Sequence, residues 1–110
     1  MEKELLRNVK GFWNSAELVY ASKEYTSATL LYFKCWFVLL DYIIYESTQT
    51  VPKDHSERFQ ILERGFKNEY TKLDRNYPLY RQTYSLSIDK KRCDAIRKIV
   101  QDMLHEQQLI

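Results

Sequence analysis

At 110 residues the chain has room for one hydrophobic core and not for two domains, and its 45% hydrophobic and 15% aromatic residues are enough to fill that core. With 17 Lys and Arg against 15 Asp and Glu, the net charge of +2 excludes a chain held to nucleic acid by bulk charge alone. Two cysteines outside any CxxC pattern exclude a disulfide scaffold and a cysteine-rich zinc module.

Only two glycines and two prolines punctuate the sequence, which predicts long helices joined by short connections. The first helix is expected from about Lys3 to Ser22, where Leu5, Val9, Phe12, Ala16 and Val19 recur at spacings of three and four, with Trp13 and Tyr20 widening the face. The second is expected from about Ser27 to Ser47, with Thr26 or Ser27 accepting a bond from a free amide of its first turn. Within it lies LLYFKCWFVLLDYIIY, residues 30–45, broken only by Lys34 and Asp41. These two charges lie about two helical turns apart and share a narrow stripe with Ser27 and Thr48, so the rest of the circumference is apolar. Such a helix must be covered on most sides, by its own chain, by a second copy or by lipid.

Lipid fits worst of the three, because the two charges cut the run into pieces shorter than the roughly 20 residues of a bilayer span. The start, MEKELLRNVK, lacks the apolar stretch and small-residue cleavage site of a signal peptide. The expectation is a soluble, cytoplasmic protein with no membrane partner and two reduced thiols. A two-fold partner is the simplest cover for so apolar a helix, which predicts a homodimer with the second helix near the interface.

STQTVPK is the one loop-like stretch. After it, Asp54 with Glu57 resembles a capping box, with Ser56 as a competing cap. Phe59, Leu62, Phe66, Tyr70 and Leu73 then form a helical stripe, and Gly65 within it suggests a close helix crossing. Pro78 suits the first turn of a short fourth helix reaching about Leu86. Asp89 can cap a last helix with Cys93, Ile96, Val100, Met103 and Leu104 inward. No strand signal competes. The expected fold is an all-α up-and-down bundle of four long helices and a short one.

Charge is uneven along the chain. Residues 53–98 carry 12 basic and 7 acidic side chains, and within them Tyr77, Tyr80, Arg81 and Tyr84 are followed by Lys90, Lys91 and Arg92. Tyrosine rings can stack on unpaired bases while Lys and Arg neutralise phosphates, so these seven residues are the candidate RNA- or nucleotide-binding set. The bland alternative is that the tyrosines pack at the edge of a core and the KKR triplet is a solvated turn. His55 and His105 stand fifty residues apart and belong to no metal-ligand cluster, so no metal or other cofactor is expected.

GFWNSAELVYASKEYTSATLLYFKCWFVLLDYIIY resembles the opening helix pair of the HEPN domain family. PKDHSERFQILERGF is similar to the start of its third helix, and YPLYRQTYSLSIDKKRCDAIRKIVQDML to its closing part. The resemblance implies an all-α, usually dimeric bundle tied to RNA metabolism and toxin–antitoxin pairs, often with a minimal nucleotidyltransferase partner. Ribonucleases of the family carry an Arg, four to six intervening residues and a His. Arg81 matches the Arg, but the positions for the His hold Leu86, Ser87 and Ile88, none of which is a base near neutral pH. Tyr84 falls too early to match the tyrosine that some members carry just after the His. The resemblance therefore implies a non-catalytic interaction module. The alternatives are a metal-independent ribonuclease using Arg81 with an unconventional base, and a purely structural oligomerisation domain.

Overall fold

In a computed structural model, which describes residues Met1–Ile110, the apolar run lies inside a 24-residue helix and the other helices are placed by the need to cover it. The chain forms α1 (Glu2–Ala21), α2 (Tyr25–Thr48), α3 (His55–Gly65), α4 (Lys67–Gln82) and α5 (Lys90–Glu106), with no strand, in a body of 38 × 25 × 22 Å. Helix α1 packs along α2, α5 and α4 cover further sides of α2, and α3 packs against α4.

Burial follows the helical period. Leu5, Val9, Trp13 and Ala16 of α1 are buried, so Trp13 lies at the centre of the inward face while Phe12 and Val19 flank it half-buried. Eleven residues of α2 are buried by the chain's own helices, so covering this helix does not by itself require a second copy. What remains is a half-buried flank of Leu31, Lys34, Val38, Tyr42 and Tyr45, repeating at helical spacing. By length and composition α2 could cross a membrane, but 61% of its most apolar stretch is buried within the fold, as in the core helix of a packed bundle. Phe33 and Leu39 are fully buried, and each large apolar side chain removed from water in this way contributes about 1.5–3 kcal/mol.

Three connections depart from the sequence reading. The cap of α2 is Glu24, not Thr26 or Ser27, and it makes no side-chain capping bond. Ser27 is exposed, and Thr26 Oγ1 instead accepts the backbone N–H of Ile88 at 2.8 Å, tying the α4–α5 connection to the corner between α1 and α2. The stripe from Phe59 to Leu73 is not one helix. Helix α3 stops at Gly65, Phe66 turns to φ −139° and ψ 63°, and α4 begins at Lys67. Gly65 marks no close crossing, since a Cβ there would meet nothing within 4 Å, and its low helix propensity is what permits the break. Pro78 lies inside α4, four residues before its last, and not at the start of a separate helix. It is exposed, so the Asp74 carbonyl that loses its helical donor faces water. Four long helices and one short one are therefore present, but the short one is the third.

The caps at Asp54 and Asp89 form as read. Asp54 Oδ1 accepts from the Glu57 amide at 2.8 Å, and Glu57 Oε1 reaches back to the Lys53 amide at 3.2 Å. Asp89 Oδ1 accepts from the Arg92 amide at 3.0 Å. Cys93, Ile96, Val100, Met103 and Leu104 all face the core.

Lys23 and Gln49 end α1 and α2 in the left-handed region, at φ 66° and 61°. Glycine adopts this conformation without a Cβ penalty. Gln49→Gly, which loses only a 3.4 Å side-chain contact to the Tyr45 carbonyl, should raise unfolding free energy by about 0.5–1 kcal/mol in a urea titration.

Candidate functional site

Helix α4 buries Leu73 and Tyr80, and the residue after Tyr80 is turned outward by the helical period. Arg81 is therefore exposed, on an open depression of about 360 Å³ lined by Pro78, Arg81, Gln82 and Ser85. It forms no ion pair. Tyr84, just past the helix end, is 68% exposed and its hydroxyl lies 2.8 Å from that of Tyr80.

The other candidate residues are occupied by the fold. The Tyr80 ring is 6% exposed, enclosed by Phe33, Phe37, His55 and Tyr77, so it cannot stack on a base; burial also pushes its hydroxyl pKa up. Tyr77 is half-buried against Phe37, His55 and Phe59. Lys90 donates to Asp94 at 2.9 Å and stands 5.7 Å over the Tyr20 ring, while the hydroxyl of Tyr20 also donates to Asp94. Arg92 pairs with Asp89 at 3.2 Å and donates to the Ser87 carbonyl. Of the seven candidates, Arg81, Tyr84, Lys90, Lys91 and Arg92 are exposed, and of these cations no ion pair holds Arg81 or Lys91.

The strongest electrostatic feature lies elsewhere. Arg58 grips Asp41 with both ends of its fork, Nε to Oδ1 at 2.7 Å and Nη2 to Oδ2 at 3.0 Å, with both side chains almost out of water. Its guanidinium also sits 5.2 Å from the centre of the Phe37 ring and donates through Nη1 to His55 Nδ1 at 2.6 Å. His55 opens α3 and is enclosed by Phe37, Tyr77 and Tyr80. Burial lowers its pKa first, and the charges of Arg58 and Lys34 lower it further, against the opposing pull of Asp41 and Asp54.

These contacts determine what His55 can do. A neutral imidazole that accepts from Arg58 at Nδ1 carries its proton on Nε2, so no lone pair is left to take a proton from a ribose hydroxyl. The hydrogen bond of its side chain goes to Arg58 and not to Arg81. His105 is exposed in the last turn of α5. Of the positions where the resemblance would have placed a nuclease His, Leu86 is 56% exposed and Ile88 is buried. No group of three or more His, Cys, Asp and Glu side chains comes together as metal ligands would. The thiols of Cys35 and Cys93 are free and buried, and burial pushes Cys35 up to about 12, far from the reactive thiolate.

Sequence reasoning missed the Asp41–Arg58–His55 cluster. A signal was present, since an acid inside an apolar run requires a buried cation, and the helix that follows opens with His55 and Arg58 three residues apart. Comparison of the chain with protein-family models, curated proteins and solved structures gave no match.

Arg58→Ala leaves Asp41 buried without a partner and should cost about 3–5 kcal/mol in chemical denaturation. Asp41→Leu combined with Arg58→Leu should recover most of that loss, because no isolated charge remains. The lowered His55 pKa gives a pH signature. The folded state holds the ring neutral, so its contribution is complete above the ordinary value of 6.5 and is lost as pH falls through the lowered folded value. Unfolding free energy should therefore fall on acidification below pH ~6.5, and His55→Gln should flatten that slope.

Proposed function

We propose that this chain is a non-catalytic interaction module of HEPN type that binds RNA through the Arg81 surface. The observation that carries the reading is an unpaired, exposed Arg81 beside the exposed Tyr84 ring, with no free base among the residues around it. A guanidinium fits a phosphate bidentately and an exposed tyrosine stacks on any base, so the pair suits a flexible strand. Cleavage would need a proton acceptor, and the lone pair that His55 could supply is engaged by Arg58.

The up-and-down, HEPN-like arrangement, the homodimer and a minimal nucleotidyltransferase partner belong to the same proposal. The half-buried flank of α2 favours the dimer, since Leu31, Val38, Tyr42 and Tyr45 offer a partly apolar strip that a two-fold mate can cover.

Pure protein incubated with single-stranded RNA in chelator should bind without cutting, and Arg81→Ala should weaken binding roughly tenfold at low salt while leaving the helical circular dichroism intact. Cleavage abolished by Arg81→Ala would instead establish the ribonuclease alternative. Sedimentation should give a dimer that Val38→Arg converts to a folded monomer; a wild-type monomer across the micromolar range removes the two-fold mate from the proposal.

A further inference from the structure

The cations of the two C-terminal helices are used in opposite ways. On α5, four of the five Lys and Arg side chains are ion-paired, Lys90, Arg92, Arg97 and Lys98 with Asp94, Asp89, Glu17 and Asp102, and Lys91 alone is not. On α4, Lys67, Lys72, Arg75 and Arg81 are all exposed and none is in an ion pair. The sequence explains the difference for two of them, because no acid stands three or four residues from Arg75 or Arg81. Lys72 stands half a turn round the helix from Arg81, in a small cavity lined also by Trp36, Glu69 and Glu106, and so faces away from the other three.

We infer that the outer face of α4 that carries Arg81, Arg75 and Lys67 is the track of a single-stranded RNA backbone. This rests on the RNA reading above and moves its footprint away from the Lys90–Arg92 triplet. At the rise of an α-helix the row is about 21 Å long, enough for several nucleotides. Between the cations the exposed positions are Asn68, Thr71, Asp74 and Pro78, none with a large apolar side chain. A face of this kind offers no apolar centre for a protein interface and no wedge for a lipid bilayer, whereas unpaired cations and polar groups match a phosphodiester chain. The apolar exposure is confined to the end beyond Arg81, at Tyr84 and Leu86, where a terminal base can stack. Asp74 is the one acid among these exposed positions, and it opposes binding.

The test uses the full chain and a fluorescein-labelled oligouridylate. Three phosphate contacts by a single strand give a salt slope of about −2 in log K against log salt. Replacing Lys67 and Arg75 together by Gln should flatten that slope by about 1.4 and weaken binding about 10-fold. Replacing Lys90 and Arg92 by Gln should change it little. Asp74→Asn should tighten binding by roughly two- to fivefold, an effect that a purely structural role for α4 does not give. If the α4 double variant binds like wild type while Arg81→Ala weakens binding, the track is wrong and the Arg81 surface stands. If wild type fails to bind the oligouridylate, both readings fall. Equal binding to polyglutamate or to phosphatidylserine vesicles would overturn the assignment to RNA in favour of an acidic protein or an anionic membrane.

Discussion

A single carboxylate governs the centre of this fold. Asp41 sits in the most apolar helix of the chain, and an uncompensated charge there would cost several kcal/mol. Arg58 answers it in a two-pronged grip, and that requirement fixes the start of α3 against α2. Because the spare donor of the same guanidinium goes to His55, the neutralising contact also fixes the state of the imidazole. Structure and chemistry are joined at this point, since the interaction that makes the core possible also withdraws the nearer histidine from proton transfer.

The electrostatics of the surface follow a second division of labour. Helix α5 uses its charges to attach itself, to α1 through Arg97 with Glu17 and to Tyr20 through Asp94 and Lys90. Helix α4 needs no such pairs, because Tyr77 and Tyr80 join Phe37, His55 and Phe59 in a continuous aromatic layer that holds it. Its cations remain unpaired, although a count of basic residues along the chain does not distinguish the two helices. Pairing separates them, since it neutralises most of the α5 cations and none of those on α4.

Periodicity made the helices legible. The inward set of α5 was complete, and the caps at Asp54 and Asp89 form as their spacing indicates, because both are local interactions between residues three apart. The failures arise where a local rule competes with packing. Phe66 continues the apolar stripe across the junction of α3 and α4, so its period hides the break. Pro78 is usually a starting signal, but here α4 accommodates it on a solvent-facing side where a lost hydrogen bond is replaced by water. Of the candidate site, the mixing of tyrosines with cations around Arg81 followed directly from the residue order. The burial of Tyr80 and the pairing of Lys90 and Arg92 did not, because they depend on neighbours from other helices that composition cannot place.

The bond from the Ile88 amide to Thr26 Oγ1 joins residues 62 apart in sequence. The exposed segment carrying Tyr84 and Leu86 is thereby anchored just beyond its midpoint to the first turn of α2. A ligand that pulls on Tyr84 must either break that bond or drag the corner between α1 and α2 with it. The tether makes the α1–α2 corner a mechanical reporter for the far end of α4, readable by amide exchange at Ile88.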